Sequence, residues 1–151
     1  MAKSKFSLNY KDDSLAELVR ESEHKTLAVW AVDCVERVMP YFEEAYPEDR
    51  RPRKALDALQ AWIDTGLFKM ADIRKAALAA HAAAREVGED NAARSAARAA
   101  GQAVATAHVP THSIAAANYA LQAVHRATSS ADPAAAVANE REWQYAHLKK
   151  N

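Results

Sequence analysis

Between Ala76 and Ala138 roughly two residues in five are alanine, and the densest part reads Ala92-Ala-Arg-Ser-Ala-Ala-Arg-Ala-Ala-Gly101-Gln-Ala-Val-Ala-Thr-Ala-His108. Alanine has the highest helix propensity and is the smallest residue that still buries apolar surface, so this half is expected to form several helices whose backbones approach closely. It specifies a scaffold rather than a reaction. Only three glycines and five prolines occur in the whole chain, nearly all where a helical protein needs punctuation, and strand signals are essentially absent. The fold class is therefore all-α: a single domain over residues 1–151, a bundle or array of about seven mostly antiparallel helices.

The punctuation places the helices. Ser14-Leu-Ala-Glu17, after Asp12 and Asp13, reads as a capping box and starts a short first helix to about His24. Leu27, Trp30, Ala31, Cys34, Val38, Tyr41 and Phe42 form the apolar stripe of a second helix from near Thr26, which Pro40 kinks or interrupts and Pro47 ends. A third starts near Asp49 or Arg50 with Pro52 in its first turn, buries Ala55, Leu56, Leu59, Trp62 and Ile63, and stops at Gly66. The fourth spans about Ala71 to Val87 before Gly88, and the fifth follows Asp90-Asn91 to about Ala107. Gly101 inside the fifth costs up to about 1 kcal/mol relative to alanine. With Ala97 and Ala105 it would form a smooth groove for another backbone. Pro110 separates a sixth helix, with Ile114, Ala117, Leu121 and Val124 inward, and Asp132-Pro133 opens a last one ending near Lys149.

Twenty basic and twenty acidic residues cancel, which removes the field that draws proteins onto nucleic acid or anionic lipid. Neither partner is expected. No window approaches the roughly 20 apolar residues of a membrane span, and the positively charged start lacks the apolar run of a secretory signal. Cys34 is the sole cysteine and has no internal partner, so a reducing cytoplasm is the expected home.

Three groups of residues invite a chemical reading. His108-Val-Pro-Thr-His112 has i, i+4 spacing, but Pro110 breaks the continuous helix a chelating pair needs, and no Glu follows the first His. Histidines bonding at a helix junction fit better, and no metal or cofactor is expected. The last helix carries Asn139-Glu-Arg-Glu-Trp143-Gln-Tyr145, which sets Glu140, Arg141 and Gln144 beside apolar residues. Partly buried charge demands partners, and Asp33 or His108 are the candidates. The cluster Asp33, His108, His112, Glu140, Arg141 and Gln144 is read as an internal clasp, or alternatively as a pocket for a ligand or partner. Finally, acidic Glu43, Glu44, Glu48 and Asp49 directly precede the basic run containing Arg51 and Arg53. A solvated helix end is the plain reading; as an interface, the acidic side would meet a basic protein, or Arg51 and Arg53 would dock an anion. No catalytic residue is assigned: Cys34 lies on an apolar stripe, and there is no glycine-rich phosphate loop or Gly-flanked serine.

The stretches Leu27-Ala-Val-Trp30-Ala-Val-Asp33-Cys34, Arg51-Pro-Arg53 with Trp62 downstream, Ala99-Ala-Gly101-Gln-Ala-Val-Ala-Thr-Ala-His108 and Tyr119-Ala together resemble the Imm-5-like group of bacterial immunity proteins, over roughly residues 25–148. The resemblance implies a non-catalytic inhibitor that binds and neutralises a cognate protein toxin. It carries over no contact residues, so the acidic and basic positions above stand as partner-binding candidates from their chemistry alone. The competing readings are a metal- or small-ligand-binding helical protein or enzyme using His108, His112, Glu140 and Arg141, and a homodimer formed through Ala/Gly faces.

Overall fold

A computed structural model describes residues 6–8, 10–129 and 132–150. The first helix, α1 (Asp13–Glu21), opens on Asp12, whose carboxylate accepts the Leu15 N–H at 3.1 Å. The cap thus falls two residues before the expected Ser14. A carboxylate at this end has the added attraction of the helix's partial positive charge.

The expected second helix is two. α2 (His24–Glu36) ends before a turn at Arg37 and Val38, and α3 (Met39–Glu43) begins with Pro40 in its first turn. Continuing α2 would set the proline ring against the Glu36 carbonyl and remove one helical hydrogen bond; restarting the helix puts the missing N–H where none is required. α4 (Arg51–Thr65) and α5 (Met70–Glu86) follow, and Gly66 and Gly88 behind them have φ of 70° and 84°. Both glycines occupy the left-handed conformation that ends a helix at least cost. α6 (Ala92–Ala105) is capped by Asn91, α7 is His112–Ala127, and α8 is Pro133–Lys150. Asp132 receives the Ala135 N–H at the start of α8. Eight helices and no strand are thus present among the described residues.

Paired contacts give the directions. Arg94 on α6 donates to the Ala84 carbonyl on α5, and further along Gly101 meets His81, so these helices are antiparallel. Ser95 bonds Gln122 at one end of the α6–α7 pair, and Gln102 meets His112 at the other, so α7 reverses again. α6 also packs on α2, α3 and α4, and Ala93, Ala96, Ala97, Ala99, Ala100 and Ala103 are all buried. Around it the core falls into three parts: Val35, Met39, Leu56, Leu59 and Val104; Phe42, Ala84, Ala96 and Ala123; and Leu15, Val19, Leu27, Trp30 and Leu148.

Gly101 faces a side chain where a backbone was expected. A Cβ built there would lie 2.7 Å from both Cε1 and Nε2 of His81. Burial, followed by Arg98 and Arg85, pushes the His81 pKa below its ordinary 6.5, so a neutral ring fills the space the glycine leaves. Overpacking costs about 1–3 kcal/mol, against at most about 1 kcal/mol gained in helix propensity. Gly101→Ala is therefore expected to lose about 1 kcal/mol of stability, and to become neutral or stabilising once His81→Ala removes the ring. Urea unfolding of the two single variants and the double variant tests this; simple additivity would refute it.

Candidate functional site

α8 lies antiparallel to α2, and the polar run read from the sequence is divided between two of its faces. On the α2 side, Trp30 Nε1 donates to the Gln144 main-chain oxygen at 2.8 Å in a buried bond. Arg37 holds Glu140 with two bonds, Nε to Oε2 at 2.6 Å and Nη2 to Oε1 at 3.0 Å. His147 Nε2 meets Asp33 Oδ2 at 2.8 Å. Trp143 ties these pairs together, with the Arg37 guanidinium 3.9 Å from its ring centroid and the His147 ring stacked on it at 4.6 Å and 12°. Asp33, His147, Trp143, Arg37 and Glu140 thus form a continuous clasp over the α2–α8 seam. Cys34 lies beneath, fully buried; burial first, then the charges of Glu140 and Asp33, raise its pKa and leave it an inert thiol.

Arg141 and Gln144 reach the other side of α8, toward α1 and α7. The Arg141 guanidinium stacks 4.3 Å from the Tyr10 ring centroid, and Gln144 Nε2 donates to the Ala117 carbonyl at 3.0 Å. Both residues line a cavity of about 610 Å³. The two expected histidines have other neighbours. His112 Nδ1 meets Gln102 Oε1 at 2.8 Å where α6 turns into α7, and exposed His108 stacks on Phe68 at 6.0 Å. Of the partners expected for the Glu and Arg of the last helix, Asp33 is taken by His147 and His108 lies elsewhere, while Glu140 is held by Arg37. Among the described residues, no three His, Cys, Asp or Glu side chains are grouped to hold a metal ion.

The acidic and basic residues around α3 and the start of α4 form a second constellation. Arg51 is gripped by Asp49 at 2.7 and 2.9 Å and by Glu86, at the end of α5, at 2.8 and 3.0 Å. Arg53 is gripped by Glu43 at 2.7 and 3.0 Å and by Glu36, at the end of α2, at 2.6 Å. Both guanidiniums already hold carboxylates of the chain itself. Their hydrogen bonds push the Glu43 and Asp49 pKa values below the ordinary 4.5 and 3.8. Glu44 and Glu48 stay exposed in the same segment as exposed Tyr41 and Tyr46. Glu36, Arg37, Glu86 and His147 were absent from the sequence-derived candidates. Asp33 on α2 and Arg37 just past its end stand at i, i+4 spacing, a local signal that could have flagged a clasp.

These constellations decorate an all-α bundle whose two charged seams are closed by its own side chains. The chain belongs to the family described as Imm-5 like putative immunity protein, whose model matches residues 17–151. The match begins inside α1, earlier than the boundary near residue 25 read from the sequence. No curated protein and no solved structure matches the chain.

The corner held by Arg51 and Arg53 has a pH signature. Glu43 and Asp49 bind protons less readily folded than unfolded, so their contribution is complete above the ordinary values of 4.5 and 3.8 and is lost as pH falls through the lower folded values. Arg53→Met and Arg51→Met should each be less stable than the parent near neutral pH, with the gap closing below about pH 4. Urea midpoints at the two pH values decide it: a gap that persists in acid would mean that the arginines act through packing of their stems.

Proposed function

We propose that this protein neutralises a cognate protein toxin by binding it and covering its working surface, without turnover, in the cytoplasm of the cell that makes the toxin. Membership of the immunity-protein family carries this reading. Zero formal net charge is consistent with a protein partner in preference to nucleic acid, and no described helix is long and apolar enough to cross a membrane.

The geometry favours α3 and the turn into α4 as the docking edge. Tyr41 and Tyr46 are 38% and 36% exposed, and Glu44 and Glu48 stand open beside them in sequence. Aromatic side chains supply anchor area at low entropic cost, and exposed carboxylates steer a basic partner during encounter. Glu43, Asp49, Arg51 and Arg53 act behind this edge as positioning residues. They tie it to the ends of α2 and α5, so little backbone has to be ordered on binding. A stable complex requires this edge to extend onto neighbouring surface, to bury on the order of 1,200–2,000 Å² in total.

The test begins with affinity capture from the native host and identification of an equimolar partner that is toxic alone and harmless when co-expressed with this chain. Binding kinetics against that partner then locate the edge. Glu44→Lys with Glu48→Lys should slow association about tenfold at low salt and lose the effect at high salt, whereas Tyr41→Ala should mainly speed dissociation. Unchanged rates in both variants would move the interface elsewhere; the lack of any toxin partner would remove the immunity reading.

A further inference from the structure

The cavity between α1, α7 and α8 has features of a ligand site. Its volume of about 610 Å³ lies within the roughly 300–1,000 Å³ range of small-molecule pockets. Leu15, Ile114 and Leu121 give it apolar walls, and Gln144 lines it while remaining only 1% exposed.

The Gln144 amide is held in one orientation. Its Nε2 is bonded to the Ala117 carbonyl and its main-chain oxygen accepts from Trp30, but its Oε1, also buried, has no hydrogen-bond donor among the described residues. An acceptor fixed in this way and left unmatched favours any guest that brings an N–H or O–H to it. The Asn118 amide lines the same cavity.

The lining also carries positive charge. Lys11, Arg20 and Arg141 all line the cavity, and none of the three is in an ion pair among the described residues. Two carboxylates are also present, but Asp12 is turned to the Leu15 N–H as the cap of α1, and Asp13 sits in that helix's first turn, where the dipole favours it. Arg141 is braced by Tyr10.

We propose that this cavity binds a small organic carboxylate with an apolar, preferably aromatic, body and a hydrogen-bond donor at its inner end. The donor meets Gln144 Oε1, the body packs between Leu15, Ile114 and Leu121, and the carboxylate is held by Arg141 with Arg20 or Lys11. The site lies on the α1 side of α8, so the proposal stands independently of where a toxin docks.

Calorimetric titration of the full chain with p-hydroxybenzoate, p-hydroxyphenylacetate and p-hydroxyphenylpropionate tests it across three lengths. Saturable one-to-one binding is expected for at least one. Its p-methyl analogue, which lacks the donor, and its p-hydroxyaryl alcohol analogue, which lacks the carboxylate, should each bind about tenfold more weakly or worse. Gln144→Leu and Arg141→Ala should weaken the best acid to a similar degree. Arg141→Ala alters a partly exposed side chain and preserves the test if the buried substitution prevents folding, with thermal melting confirming the folded state. No saturable binding by any of the three acids up to about 10 mM would overturn the proposal. So would equal affinity for the analogues, or unchanged affinity in Arg141→Ala.

Discussion

The constraint on which the structure depends is the near-complete enclosure of α6. Five other helices pack against it, so large side chains would hold all of them away. Most of its buried positions are therefore alanine, with Gly101 where even a methyl group would strike the His81 ring. Apolar burial per residue is small for alanine, but many close contacts between backbones recover dispersion energy that a loosely packed helix would lose. Ser95 shows how polar atoms are accommodated there: fully buried, it donates to Gln122 and accepts from Arg126, so its hydroxyl is not left unmatched.

Larger residues enter where the packing opens. Trp30, Leu27 and Leu148 fill the space between α2 and α8, and Phe42 and Met39 fill the space under α3. The ion pairs lie outside this layer, at seams where helices end. Exposed pairs of this kind each contribute only about 0–1 kcal/mol, so they account for little of the stability. Their geometry matters more. Arg37 and Arg51 make two-pronged carboxylate contacts, which fix relative position better than a single bond, and Arg53 bridges α2 and the end of α3 in the same way.

This arrangement separates a rigid scaffold from the surfaces available to partners. The function proposed above, occlusion of a toxin, would need a preformed surface more than a reactive group, and a bundle of close-packed helices braced at its corners supports that reading. In the α2–α8 clasp Asp33, His147 and Cys34 are neighbours in the fold, the thiol fully buried and the imidazole stacked on Trp143. The cavity side of α8 is different, because Gln144 is left there with an unmatched acceptor.

Helix positions were legible because their signals are local. Pro52, Gly66, Gly88, Asn91 and the Asp132-Pro133 pair act on the backbone within a turn of themselves, and each falls where an element begins or ends. Even the departure at the first cap was a local competition, Asp12 capping ahead of Ser14, and of the two outcomes open to Pro40, a kink or an interruption, the structure shows the interruption. Side-chain partners were not legible. Arg37 finds Glu140 and His147 finds Asp33 across more than a hundred residues, and Glu86 closes on Arg51 from another helix end. The same holds for Gly101, whose neighbour turned out to be an imidazole. The sequence by itself determined the all-helical class, most of the helix ends and the small-residue core, since propensity, capping and proline chemistry are properties of neighbouring residues. Only the tertiary structure decided which charges are paired, which acceptor is left unmatched and which surface stays open, because those depend on how helices distant in sequence are rotated against one another.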